Sequence, residues 1–232
     1  MKFIFLQTPI ITDSINNPIA EEKTLSIMEL ISSGGLGGNI IMGTLGLLSI
    51  YAIYILIERF STIKKASVED ESFLKSIKNF VEQKDIQAAK TLCKNTDNPV
   101  SRMIEKGIDR IDKPMTDISA AIENQGKLEV YKMENNLANL ATIAGAAPMI
   151  GFLGTVIGMI VAFHEMASAG GNIDVEMLSK GIYTAMVTTV GGLVVGIIAY
   201  IAYNFLVSKI DKVIFKLEAR TTEFLDLLHL NE

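Results

Sequence analysis

The chain has 232 residues, 49% of them hydrophobic, a mean hydropathy of +0.35 and a formal net charge of −5. So apolar a composition points to a membrane protein, and the acidic balance argues against a nucleic-acid partner. One cysteine, Cys93, cannot form an internal disulfide and reads as a small core residue.

At the N-terminus Lys2 precedes a short apolar run, Phe3-Ile4-Phe5-Leu6, which Gln7, Thr8 and Pro9 interrupt. No small-x-small cleavage pattern follows. Residues 1–38 are therefore expected to be retained as a segment with an interfacial helix near Leu25 to Ile31. The cluster Gly34-Gly35-Leu36-Gly37-Gly38 is expected to break the chain before the first span.

Three segments have the roughly 20 apolar residues that a bilayer crossing needs. They run over 39–57, 141–166 and 181–207, and their only charged residue is Glu165, at the end of the second. The alternative, buried core helices of a soluble protein, fits poorly with three such runs in one chain. Lys2 and Lys23 lie before the first span and Lys180 in the 167–180 loop. Every other lysine and arginine, 18 of the 21, lies in 58–140 or in the 208–232 tail. That asymmetry places the N-terminus and the 167–180 loop outside, and the 58–140 region and tail in the cytoplasm. Tyr51, Tyr54, Tyr200 and Tyr203 lie toward the cytoplasmic ends of spans one and three, as interfacial aromatics do.

The 58–140 region reads as helical. Ser67 to Lys84 and Asp85 to Asn95 suggest a helical pair, and Asn98-Pro99 starts a further helix with proline in its first turn. Asp112-Lys113-Pro114 breaks the chain. From about Met115 the helical pattern continues into the second span with no breaker before Pro148. In the tail, Ile210, Val213, Leu217, Thr221, Phe224 and Leu228 alternate by three and four, a stripe that needs a partner face. The predicted fold is all-α: a polytopic membrane protein with three transmembrane helices, the second and third extended into the cytoplasm, plus a short helical cytoplasmic insertion.

Pro148, Gly151, Gly154 and Gly158 in span two, with Gly192 and Gly196 in span three, form small-residue faces suited to close helix packing. Span two also carries Thr155, and span three carries Thr184, Thr188 and Thr189. A membrane threonine commonly hides its hydroxyl on its own helix. All four are candidate residues of a proton path, Thr184 nearer its outer mouth, and depth singles out two of them. Thr155 lies about 20 Å above the cytoplasmic start of its span and Thr189 about 12 Å below the outer start of its own. In a core of about 30 Å these levels nearly coincide, so several copies around an axis would carry a ring of hydroxyls. No titratable group lies in the middle of the spans. If the protein conducts protons, the carboxylate comes from another chain. Glu58 and Arg59, and His164 and Glu165, read as boundary residues.

No phosphate-binding Gly-Lys-Ser/Thr loop, Cys/His metal spacing or Gly-x-Ser-x-Gly motif occurs, so no enzyme and no cofactor is expected. Nor is there an internal repeat of the kind that marks many solute transporters.

The stretch Ala147-Pro148-Met149-Ile150-Gly151-Phe152-Leu153-Gly154-Thr155-Val156-Ile157-Gly158-Met159 resembles the second-span signature of the MotA/TolQ/ExbB proton channel family. Ala185-Met186-Val187-Thr188-Thr189-Val190-Gly191-Gly192-Leu193, the later Tyr203-Asn204 pair and Glu58-Arg59 resemble further family features, and the layout resembles the ExbB/TolQ branch. The resemblance implies a multi-pass subunit of a bacterial inner-membrane motor with a periplasmic N-terminus and a cytoplasmic C-terminus. It implies a homopentamer around an ExbD- or TolR-like single-span protein that supplies a membrane aspartate, with protons as the coupling ion. It implies a TonB- or TolA-like protein as the driven partner. Thr155 and Thr189 match the family's two pore-facing threonines. Where many members have a glutamate five positions before the second threonine, this chain has Thr184. The expected function is a proton-channel stator subunit that energises TonB-dependent outer-membrane transport. The alternatives are a TolQ-like subunit of the Tol-Pal envelope system and a non-conducting membrane scaffold held through its cytoplasmic helices.

Overall fold

The computed structural model describes residues 35–67, 71–168 and 175–229. Among these every regular element is a helix: α1 (Gly35–Ala66), α2 (Glu71–Glu82), α3 (Ile86–Asn95), α4 (Pro99–Ile108), α5 (Met115–Glu134), α6 (Leu137–Ser168) and α7 (Val175–His229). Three stretches are long and apolar enough to cross a membrane: Gly37–Ala66, Met115–Ser168 and Leu178–His229. The expected interfacial helix near Leu25 to Ile31 lies outside the described residues.

Local chemistry places several helix ends. Asp85 caps α3 by accepting a hydrogen bond from the Ala88 N–H at 2.9 Å. Asn98 caps α4 in a reciprocal capping box with Ser101, and Pro99 stands in the first turn, where its missing N–H costs nothing.

One expected break and one expected continuity are corrected. The glycine cluster does not interrupt the chain: α1 starts at Gly35 and runs through Gly37 and Gly38. There the glycines admit neighbours, since a Cβ on Gly37 would lie 3.4 Å from Ile157 and one on Gly38 would lie 3.2 Å from Thr184. Nor does the helix from Met115 continue unbroken to Pro148. It stops after Glu134 and restarts at Leu137, with Asn136 at φ 63°. Asparagine tolerates the left-handed region better than most residues, so an Asn-Asn pair turns the chain where neither glycine nor proline is present. Pro148 sits inside α6 and does not end it. Within the segment expected as a loop over 167–180, α7 begins at Val175.

Helices α6 and α7 run antiparallel and form the most extensive pairing in the chain. Small residues interlock along it. Cβ atoms placed on Gly158, Gly181 and Gly192 would lie 3.1 Å from the Ala185 Cβ, 2.5 Å from the Ala162 Cβ and 2.5 Å from the Ala147 carbonyl oxygen. Pro148 has no N–H to give the Ala144 carbonyl. Gly196 of α7 lies against that point, where a Cβ would be 2.5 Å from the proline ring and 3.1 Å from the Ala144 oxygen. Helix α1 lies alongside both, with Met42 against Gly191. The outer faces of α6 and α7 remain apolar and exposed, with Met149, Phe152, Ile160, Met186 and Ile197 all more than half exposed. Helices apolar on every side belong in lipid or against other membrane helices.

Beyond the apolar segments, α2, α4 and α5 pack on the long continuation of α7, and α3 packs against α2 and α4. The tail stripe finds its partner here, within its own chain: Ile210, Val213, Leu217, Phe224 and Leu228 are buried and Thr221 is half-buried. Gly107 of α4 makes room for the Phe224 ring, which would stand 2.9 Å from a Cβ at that position.

Candidate functional site in the α6–α7 pair

The central polar feature of the membrane segment is the backbone carbonyl of Gly151 on α6. Without a Cβ, Gly151 lets α7 approach until the Thr188 carbonyl oxygen and Thr189 Cα would lie 2.8 and 3.2 Å from a β-carbon. That approach brings hydroxyls from both helices onto one acceptor. Thr189 Oγ1 donates to the Gly151 oxygen at 3.2 Å, and Thr155 Oγ1 reaches it at 3.4 Å from one turn further along α6. The Thr155 and Thr189 hydroxyls are also in direct contact. Two residues placed at nearly equal depth by counting therefore meet across the helix pair.

The chemistry follows from the number of protons. Each hydroxyl has one hydrogen and two lone pairs. When one threonine donates to Gly151 and the other donates to its partner, acceptor capacity remains on the pair, and rotation of the two O–H bonds reverses the order. Both threonines are only half-buried, so the pair keeps one accessible side.

The other two threonines sit differently. Thr188 is fully buried; its hydroxyl donates to the Ala185 carbonyl at 2.8 Å, lies 3.4 Å from the same Gly151 oxygen, and its side chain fills the space left by Gly154. Thr184 is buried, with its methyl group toward Gly38 of α1. So Thr188 and Thr189 both face α6, the first fully buried and the second half-buried against Thr155, while Thr184 faces α1. Pro148, Gly151, Gly154, Gly158, Gly192 and Gly196 all lie at the helix contacts described above. Tyr183 Oη is buried with no hydrogen-bond partner among the described residues.

Acids and bases lie away from mid-depth. His164 and Glu165 are exposed near the end of α6. Among the described residues no three His, Cys, Asp or Glu side chains gather into a metal site.

The sequence reading missed the role of Arg59. It is no loose boundary residue but is 6% exposed, bonded to Glu58 and donating from Nη1 to the Lys132 carbonyl at 2.9 Å. That carbonyl belongs to the last turn of α5, which has no intrahelical donor left for it. Arg59 thus ties the end of the first span to the helix that leads into the second. The paired Glu-Arg at the end of an apolar run was the available signal. A second buried cluster holds the bundle. Glu129 is 2% exposed and accepts from Arg102 Nε at 3.0 Å, Arg102 Nη2 at 2.8 Å, Gln125 at 2.7 Å and Lys132 at 2.9 Å. Burial pushes its carboxyl up, but the hydrogen bonds from Arg102 and Lys132 outweigh burial and hold it below the ordinary value.

Comparison with known proteins gives this arrangement a family. Residues 95–219 match the MotA/TolQ/ExbB proton channel family. A protein of Methanothermobacter thermautotrophicus described as an ExbB homolog is 29% identical over 194 residues, 83% of this chain and 67% of its own length. The biopolymer transport protein ExbB of Aquifex aeolicus is 32% identical over 111 residues, 47% of this chain and 74% of its own. The Tol-Pal system protein TolQ of Haemophilus influenzae is 34% identical over 101 residues, 44% of each chain. The matched region contains α6, most of α7 and the Gly151–Thr155–Thr189 constellation, and the chain belongs to the MotA/TolQ/ExbB proton channel family.

Proposed function

We propose that this chain is the stator subunit of an inner-membrane motor of the ExbB/TolQ type, in which proton flow is converted into mechanical work. The observation that carries this reading is the half-buried Thr155–Thr189 hydroxyl pair on the Gly151 carbonyl, in spans that offer no acid at that depth. A hydroxyl pair stabilises a carboxylate brought to it but cannot itself store a proton at neutral pH. The stored proton therefore sits on an aspartate of a single-span ExbD- or TolR-like partner. Charged, that acid is held by the threonines; protonated, it tolerates the apolar wall on either side. Alternation between the two drives movement between equivalent sites of a homopentamer, and a TonB- or TolA-like protein carries the force outward. The lysine and arginine distribution supports a periplasmic N-terminus and a cytoplasmic α2–α5 bundle.

Thr155→Val combined with Thr189→Val keeps shape and removes both hydroxyls. The expected result is loss of proton-motive-force-dependent work with the assembled complex still recovered. Full activity in the double variant refutes the threonine path. The ExbB relatives favour energised outer-membrane transport, and the TolQ relative favours envelope maintenance. A deletion strain that loses TonB-dependent uptake but keeps detergent resistance supports the first, and the reverse phenotype the second. A scaffold held through the tail stripe has less support, because α7 already spends that stripe on its own chain's helices.

A further inference from the structure

A groove of about 580 Å³ opens between α1 and α7 at the end of the apolar segments nearest the α2–α5 bundle. Ala202, the smallest side chain lining it, is buried there, and Leu56, Ile57, Ile198 and Ile201 form apolar walls. At the bundle end the Phe60 and Phe205 rings stack across it with centroids 6.1 Å apart. Its one hydroxyl is Ser61. Lys209 stands at this end, its ammonium 5.5 Å from the Phe205 ring centre. Among the described residues Lys209 makes no ion pair, whereas Glu58, the acid next along α1, is bonded to Arg59.

An uncharged slot that lies within the apolar span and ends at an unpaired cation has two matching halves. The slot fits an alkyl chain. The cation fits an anion at the depth where phospholipid headgroups begin, held without burying a charge in hydrocarbon. We propose that the α1–α7 groove is a binding site for one anionic glycerophospholipid of the leaflet on the bundle side. One acyl chain lies over Ala202 between Ile57 and Ile198, and the phosphate pairs with Lys209. A zwitterionic lipid carries its own cation beside the phosphate and benefits less from the lysine. The site lies apart from the Thr155–Thr189 pair, so its failure would leave the proton-channel reading untouched.

The test uses the full chain in nanodiscs of equal phosphatidylglycerol and phosphatidylcholine, extracted gently and examined by native mass spectrometry for retained lipid. Wild type is expected to retain phosphatidylglycerol in preference to phosphatidylcholine. Lys209→Gln is expected to lower that preference about fivefold, the factor that corresponds to roughly 1 kcal/mol for one lysine near a headgroup. Lys64→Gln, a lysine of α1 that does not line the groove, is expected to leave it unchanged. Ile201→Trp, which fills the slot, is expected to lose both lipids. A photo-crosslinker placed at Ile201 reports the occupant directly, whatever that variant does to folding. Adducts of lipid mass support the proposal. Adducts of chain mass show that a second copy fills the groove and overturn it, as do equal retention by Lys209→Gln and wild type, or no retained lipid in wild type.

Discussion

Gly192 of α7 faces Gly151 of α6 so closely that a single added methyl group would lie 2.8 Å from the Gly151 Cα and 2.5 Å from the Ala147 oxygen. Both neighbours are backbone and cannot rotate away. The threonine pair depends on this approach, because the carbonyl that collects the hydroxyls belongs to Gly151. Gly192→Ala should therefore push the helices apart, at a cost of roughly 1–3 kcal/mol typical of overpacking. A lower thermal midpoint together with reduced proton-driven activity is the expected pair of readouts. Alanine at Gly43, which has open space around it, should change neither. An unaltered midpoint in Gly192→Ala would show that α6 and α7 do not pack this tightly.

The Arg59 link should be specific to a guanidinium. Arg59→Ala leaves the last-turn carbonyl of Lys132 without its donor, a loss of about 1–3 kcal/mol when the group stays buried. Arg59→Lys should recover little, since one ammonium cannot reproduce the forked contact with Glu58 and Lys132. Chemical denaturation in detergent, followed by helical content, measures both. Equal stability of the lysine variant and wild type would reduce Arg59 to a point charge.

Glu129 sets a pH dependence. A carboxyl held below its ordinary value stabilises the fold above the unfolded-chain value of 4.5, and that stabilisation is lost as pH falls through the lower folded value. Wild type should therefore lose bundle stability on acidification below 4.5. Glu129→Gln should start less stable at neutral pH and change less over the same acid range. The quantity to compare is the wild-type-minus-variant stability at each pH. A difference that does not shrink toward acid would remove Glu129 as its source.

Cys93 is 2% exposed, and burial pushes its thiol up to about 12, with Glu105 and Asp109 adding to the effect. Since the thiolate is the reactive species, a maleimide reagent at neutral pH should label the folded chain far more slowly than the denatured chain. Comparable rates would mean that α3 opens readily from the bundle.

Much of this protein was written locally. Three runs of about 20 uncharged residues dictate membrane helices because an unpaired backbone is intolerable in lipid. Asn98 and Pro99 dictate a helix start, and the spacing of Val213, Leu217, Phe224 and Leu228 dictates a helix with one buried face. Even the equal depth of Thr155 and Thr189 follows from counting residues. What counting could not supply was direction. A helix apolar on every side has no polar face to mark its outside, so nothing local separates Thr188, which is fully buried against Gly154, from Thr189, one residue on, which is half-buried and meets the Thr155 hydroxyl. The same holds for Gly37 and Gly38, which read as a break until Ile157 and Thr184 are seen to need their space. The same is true of the tail stripe, whose partner is the chain's own Gly107 helix, and of Arg59, whose carbonyl lies 73 residues away. Periodicity encodes that a face is buried; only packing between distant segments decides against what.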